Sequence, residues 1–248
     1  MILVGISGAI DHGKTSLAEF LRAATPSASH LESSDVVIEV ANALRNSGPT
    51  PTADNIPAIL NWLQALPAIL LTYTHTTITF EALNISAERI ASAPQEFGTL
   101  IGYLRIMELQ PELTTKPINS ANKDDFRILL QWLGGYLAKN VSGTLWYDEI
   151  VRLAHATGND FIIAGGVRFL EDAACIRNAG GFILNVVRPT LGEQESQDIT
   201  ENERALISPD CVVVNDSSLE ALKMTANQIY IDLTNGKLQP SYQASLIN

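Results

Sequence analysis

Residues 8–15 read Gly8-Ala9-Ile10-Asp11-His12-Gly13-Lys14-Thr15, and this stretch decides the fold. It fits the pattern G-x-x-x-x-G-K-[ST]. Glycines at those positions let the backbone wrap an anion, so that successive N–H groups point inward. A helix starting at Gly13 adds the positive end of its dipole. In such a loop the Lys14 ammonium reaches the β- and γ-phosphates of a nucleoside triphosphate, and the Thr15 hydroxyl coordinates Mg²⁺. The flanks agree with this reading. Residues 2–6 are an apolar run too short for a helix, which predicts a buried strand. Residues 13–23 carry Leu17, Phe20 and Leu21 on one helical stripe. The expected ligands are therefore ATP and Mg²⁺. Gly8, Ala9, Ile10, Asp11, His12, Gly13, Lys14, Thr15 and Ser16 would surround the phosphates, with Thr15 as the metal ligand. His12 reads as a loop residue and not as a catalyst.

Outward from the loop, Leu31 can end a second strand. Asp35 suits a helix N-cap before Val36, Val37, Val40 and Leu44. Ser47-Gly48-Pro49-Thr50-Pro51 stops that helix. Residues 52–120 are rich in Ala, Leu, Ile and Thr, with prolines at 57, 67, 94, 111 and 117, and predict a helical insertion with breaks. The Thr-rich piece 72–80 fits helix or strand. A helix over about 124–138 presents Phe126, Leu129, Leu130, Leu133 and Leu137, and one over about 144–156 presents Trp146, Ile150 and Leu153. Strands at 161–164, 182–187 and 211–214 then alternate with helices at 171–178 and 217–233, the last capped by Ser217 or Ser218. This alternation implies an α/β fold, a parallel sheet with helices on both faces. The expected organisation is a core of residues 1–46 and 123–236, a helical insertion at 47–122 that can serve as an acceptor-binding lobe, and a tail at 237–248.

The 248-residue chain carries a formal net charge of -11, which disfavours broad binding to nucleic-acid phosphates. Its two cysteines, Cys175 and Cys211, have no partners at metal-ligand spacing and suit reduced thiols in a cytoplasmic protein. The N-terminus lacks the basic region of a signal peptide. The most apolar internal stretch, 65–71, is too short to span a bilayer and is interrupted by Pro67. No membrane or nucleic-acid partner is expected. A phosphate loop alone leaves kinase, motor, GTPase switch and ATP-driven binding protein open. Asn122-Lys123-Asp124 misses the guanine-recognition pattern N-K-x-D by one residue. The nearest run of apolar residues ending in Asp, Val213-Val214-Asn215-Asp216, is interrupted by the Asn.

Four later stretches narrow the choice. They are Arg127-Ile-Leu-Leu-Gln131-Trp-Leu-Gly134, Val167-Arg168-Phe169 with Glu171, Gly180-Gly181 through Val187-Arg188-Pro189, and Val214-Asn215-Asp216 with Ser218-Leu219-Glu220. In order and content they resemble the deoxynucleoside monophosphate kinases of the phage type. With the loop, the resemblance covers about the first 46 residues and residues 123–230. It implies a three-layer P-loop kinase with a five-stranded parallel sheet. The implied activity transfers the γ-phosphoryl of ATP to a (deoxy)nucleoside 5′-monophosphate. Two departures stand out: Gly166 occupies the place of an Asp usual before V-R-F, and Thr200-Glu201-Asn202-Glu203 replaces a His-x-Ser-Glu stretch.

The residues support this reading in their own right. Arg127, Gln131 and Gly134 fall at i, i+4 and i+7, on one helix face, where an Arg and an amide can grip a phosphate and a base edge. A solvated helix face is the plainer alternative. Arg168 follows a buried strand and Gly165-Gly166, whose lack of side chains would admit a phosphate; ligands of open α/β sheets bind outside the carboxyl ends of the strands. Its alternative is a surface Arg paired with Glu171 or Asp172. Arg188 also follows a strand and can contact the nucleotide. Lys14, Arg168 and Arg127 are thus the expected catalytic residues, and Asp35, Arg127, Gln131 and Arg168 the acceptor-binding set. The partners expected are small-molecule nucleotides, and the sequence leaves a homodimer open. Two alternatives stand: a kinase of another phosphorylated metabolite such as dephospho-coenzyme A, or a P-loop nucleotide-binding protein without catalysis.

Overall fold

Every short apolar run that suggested a strand forms one. The structure, a computed structural model, describes residues 1–191 and 203–238. The His-x-Ser-Glu position thus falls mostly outside the described residues, as do residues 239–248 of the expected tail. The strands are β1 (Ile2–Gly8), β2 (Ala28–Glu32), β3 (Phe161–Gly165), β4 (Phe182–Val187) and β5 (Cys211–Val214). They form one sheet in the order β2-β3-β1-β4-β5, and every pairing is parallel. The central β1 is buried on both faces, which is why its sequence shows no polar alternation.

The helices are α1 (Lys14–Ala23), α2 (Ser33–Asn46), α3 (Ile56–Leu63), α4 (Leu66–Thr74), α5 (Ala87–Ser92), α6 (Pro94–Leu109), α7 (Arg127–Asn140), α8 (Leu145–Thr157), α9 (Leu170–Asn178) and α10 (Leu219–Thr234). On one face of the sheet Leu17 and Leu21 of α1 and Leu222, Ala226 and Ile229 of α10 pack with Val4, Ile6, Leu184, Val186 and Val213. On the other, Ile176 of α9 lies so close to Gly5 that a Cβ on that glycine would overlap it. This gives the three layers. Ser218 caps α10 by accepting the Ala221 N–H at 3.2 Å.

Backbone contacts divide the chain into an α/β unit, Met1–Ser33 with Ile150–Asn248, and a helical unit, Ser34–Glu149. Residues 34–46 and 123–149 thus group with the insertion, although their pattern reads as part of the core. The buried side chains of α2 explain its place. Arg45 is only 6% exposed, and its guanidinium donates to the carbonyls of Leu113, Thr114 (3.0 Å) and Lys116 (2.8 Å) and lies 4.5 Å from the centre of the Phe126 ring. Asn42 adds a reciprocal pair of hydrogen bonds with the backbone of Ile118, at 2.8 and 2.9 Å. Five backbone groups between residues 113 and 118 thus have partners on α2, and a buried group left bare costs about 1–3 kcal/mol.

The aromatic rings of Phe97, Trp132 and Tyr136 join α6 to α7. Burial pushes the Tyr136 phenol up to about 12, and its O–H faces the carbonyls of Leu83 and Asn84 at 3.0 Å each.

Two local expectations change. Asp35 is not an N-cap, because α2 already begins at Ser33 and Asp35 falls in its first turn. Residues 72–80 form no strand: α4 runs to Thr74 and His75 ends it in a left-handed conformation, φ 54°. The apolar helical run is also longer than 65–71. Residues Ile56–Thr74 have a mean hydropathy of 1.4 over their most apolar window and are long enough to cross a membrane, with a third of that window buried. Ile59, Trp62, Leu63, Leu66, Ile69 and Leu70 form the buried stripe, at the spacing of a helix lying on a protein core.

One buried carboxyl sets a pH dependence. Asp172, near the start of α9, is 6% exposed and accepts the N–H groups of Arg168 (2.9 Å) and Phe169 (3.0 Å). Burial pushes it up to about 6, against those N–H bonds, which favour the ionised form. Between roughly pH 4 and 6 the native state therefore binds more protons than the unfolded chain, and this group's contribution to stability falls as pH rises through that window. Relative to Asp172→Asn, the wild-type protein should lose on the order of 1–3 kcal/mol between pH 4 and 7. Denaturant titrations of both proteins across that range check this; parallel pH profiles would contradict it.

Candidate functional site

The chain leaves β1 at Gly8 and enters α1 at Lys14 through a turn that only certain residues can make. Gly8 has φ 148° and a Cβ there would come within 2.6 Å of the Val186 carbonyl oxygen of β4. Asp11 and Gly13 are left-handed, at φ 63° and 101°. Gly suits such positions because it has no Cβ to clash, and Asp is among the few other residues found there. The His12 N–H closes the turn on the Ala9 carbonyl at 3.3 Å, and the Leu17 N–H opens the helix on the Gly13 carbonyl at 3.0 Å. The Lys14 ammonium folds back over the loop and donates to the carbonyls of Gly8 and Ala9, both at 2.7 Å. Ile10 and Thr15 are exposed, and Ala9 and Ser16 half-buried.

Two more strand ends brace this loop. His12 is 6% exposed. Its Nδ1 accepts the backbone N–H of Arg188, after β4, at 3.2 Å. Its carbonyl accepts the side-chain amide of Asn215, after β5, at 2.9 Å, and the Asn215 N–H in turn reaches the Val187 carbonyl at 2.8 Å. Because Nδ1 is an acceptor here, the neutral ring carries its proton on Nε2. A Cβ at Gly13 would meet the Asn215 amide nitrogen at 2.5 Å, so the glycine is needed for this approach as well as for its φ. His12 is therefore a strut. Asn215, which reads from the sequence as an interruption of an Asp-ending strand, ties the loop to the sheet; its signal was an amide placed directly after the run Cys211–Val214.

Arg168 stands at the end of β3, the strand beside β1. The Val167 N–H donates to the Ile6 carbonyl at 3.2 Å, and Asp172 fixes the Arg168 backbone. The Arg168 side chain is exposed and makes no ion pair among the described residues, with Glu171 and Asp172 included. Gly166 is left-handed, φ 76°. The room expected at Gly165 is filled, because the carboxylate of Glu32 lies where a side chain at 165 would stand. The α/β unit thus collects Gly8–Ser16, Arg168, Arg188 and Asn215 at the carboxyl edge of one parallel sheet, where ligands of such sheets bind.

Asp35, Arg127 and Gln131 belong to the helical unit. Asp35 is exposed in the first turn of α2. Arg127 and Gln131 are exposed on the face of α7 opposite its buried stripe of Leu129, Trp132, Leu133, Tyr136 and Leu137. Arg127 pairs with Asp124 at 2.6 Å, but the two side chains are 65% and 74% exposed, so the pair holds the guanidinium only weakly. Gly134 accepts the Trp146 indole N–H through its carbonyl at 3.0 Å.

If the braced loop is the anion site, Mg·ATP should raise the melting temperature of the wild-type protein by mass action. Lys14→Ala should remove most of that shift and leave the ligand-free melting temperature close to wild type. Asn215→Ala keeps the lysine but loosens the loop, and should weaken ATP by about five- to tenfold, the effect of one lost hydrogen bond worth ~1–1.5 kcal/mol. Thermal shifts over an ATP titration check both; equal shifts in all three proteins would contradict the site.

A family model for deoxynucleotide monophosphate kinase matches residues 72–226. No curated protein matches the chain. The matched span contains all four of the later stretches quoted above and excludes residues 8–15, so the glycine-rich loop and the family match are separate observations. The match covers more than half of the chain and agrees with the five-stranded parallel sheet, and the chain belongs to the deoxynucleotide monophosphate kinase family.

Proposed function

We propose that the protein, acting in the cytoplasm, transfers the γ-phosphoryl group of ATP to a (deoxy)nucleoside 5′-monophosphate. The observation that carries this reading is the loop of residues 8–15, folded between a buried strand and a helix N-terminus with Lys14 over it. Backbone N–H groups in that turn and the Lys14 ammonium would hold the β- and γ-phosphates. Magnesium, when bound, would offset charge on those phosphates, and the exposed Thr15 hydroxyl at the start of α1 is a suitable oxygen donor for it. Asp35, Arg127 and Gln131 of the helical unit would bind the acceptor.

Phosphoryl transfer asks little covalent chemistry of the protein, so the chain's contribution is positioning and charge. A phosphate oxygen of the acceptor attacks in line, and Lys14 and Arg168 hold the transferring group as its charge redistributes. A guanidinium can bridge two phosphate oxygens with a fork that Lys cannot copy. Arg188, tied to the loop through His12, would contact the donor nucleotide.

Steady-state kinetics with both substrates varied test these assignments. Arg168→Ala should lower kcat by roughly 10²–10³, the scale of removing a preorganised transition-state donor, and Arg168→Lys should restore little. Arg127→Ala and Gln131→Ala should raise the acceptor KM far more than the ATP KM. For Arg127 the loss should correspond to about 1.5–3 kcal/mol for a charge-assisted phosphate contact. Full activity of Arg168→Lys would reduce Arg168 to a plain cation, and wild-type acceptor kinetics in the α7 variants would make that face solvated surface. A protein stabilised by Mg·ATP that releases no ADP with any acceptor would be a binding protein.

A further inference from the structure

The strand next to the loop ends without an acidic side chain. Loops of this kind hold magnesium with their Ser or Thr and with a carboxylate from a strand end. Here β3, which pairs directly with β1, ends in Ala164-Gly165 and continues into Gly166. The acid after β5, Asp216, is exposed and stands two residues past the end of its strand. Asp11 sits in the loop itself, and Asp172 is committed to the backbone N–H groups of Arg168 and Phe169.

A carboxylate nevertheless reaches this end of β3 from its other neighbour. Strand β2 pairs with β3 in register Glu32↔Gly165, so Glu32 is level with the carboxyl end of β3. Its carboxylate lies over Gly165: a Cβ built on that glycine would collide with it, with Oε2 at 2.6 Å. Gly165 is not among the glycines with positive φ, so its backbone does not demand glycine. The demand comes from the carboxylate that fills the space. His30 Nε2 stands 2.9 Å from Glu32 Oε1 without the alignment of a hydrogen bond, close enough to orient the acid. The Glu32 side chain remains 32% exposed, so its oxygens keep access to a ligand.

We infer that Glu32 supplies, from β2 and across Gly165, the carboxylate that holds the magnesium of the bound nucleotide. The inference rests on the donor-site reading given above. It assigns to the second strand a role that the end of β3 cannot fill, and it makes the pair Glu32 and Gly165 one unit, in which the glycine exists to admit the acid.

The test uses the full chain, Mn²⁺ and the non-hydrolysable analogue AMP-PNP, with free Mn²⁺ read by electron paramagnetic resonance. In Glu32→Gln and Glu32→Ala, the Mn²⁺ affinity of the protein–AMP-PNP complex should fall by roughly 10–100-fold, the usual effect of losing a group that holds a metal's ligands. AMP-PNP affinity in EDTA and the melting temperature should stay near wild type. Unchanged Mn²⁺ affinity in both variants would overturn the proposal and leave Glu32 as a partner of His30. A parallel loss of metal-free AMP-PNP affinity and of melting temperature would also overturn it, because Glu32 would then be structural. If the wild-type protein binds AMP-PNP neither with nor without Mn²⁺, the donor reading of the loop falls as well.

Discussion

The turn between β1 and α1 is the constraint on which the candidate site depends. Its backbone runs through φ 148° at Gly8, 63° at Asp11 and 101° at Gly13. A path of that kind does not hold itself; neighbours must determine it. One side is the fully buried β1, in which Val4 and Ile6 have no exposure. The other is the pair of clamps at His12, from Arg188 after β4 and Asn215 after β5. Strand order makes this possible, because β1 lies between β3 and β4 and its carboxyl end is reached from both sides. Donors fixed in this way need not reorganise when charge develops beside them, which is the property phosphoryl transfer requires.

The same edge concentrates cations on a chain whose formal net charge is -11. Lys14, Arg168 and Arg188 all follow strands of the α/β unit. The arrangement of Arg168 has a cost. Asp172 is held in a buried place that disfavours its ionised form, and it spends its acceptors on the backbone that carries Arg168 and Phe169. The exposed guanidinium is thus attached to a well-determined backbone, a rigid mount for its side chain.

Much of this was legible in the sequence, for physical reasons that differ from place to place. The strands were legible because a doubly covered parallel sheet demands unbroken apolar runs such as residues 161–164. The loop was legible because two glycines, a lysine and a threonine at fixed spacing serve one geometry. The outward face of α7 was legible because Arg127 and Gln131 fall off its apolar stripe. Contacts distant in sequence were not. His12 meets partners 176 and 203 positions away, and no local pattern announces a buried histidine there. Arg45 reads as a surface cation in the last turn of a helix, yet it is buried against carbonyls about 70 residues later, and that contact moves α2 into the helical unit. Gly165 reads as room for a phosphate, and the room belongs to Glu32.

The proposed transfer requires ATP bound at residues 8–15 and an acceptor bound by Asp35, Arg127 and Gln131. The most direct measurement is ADP release from Mg·ATP across all common ribo- and deoxyribonucleoside monophosphates, with nucleosides and dephospho-coenzyme A as controls. The account predicts release that depends on one or a few deoxynucleoside monophosphates, is abolished by Lys14→Ala and yields the matching diphosphate. Release that is indifferent to any nucleoside monophosphate, or specific to dephospho-coenzyme A, would contradict it.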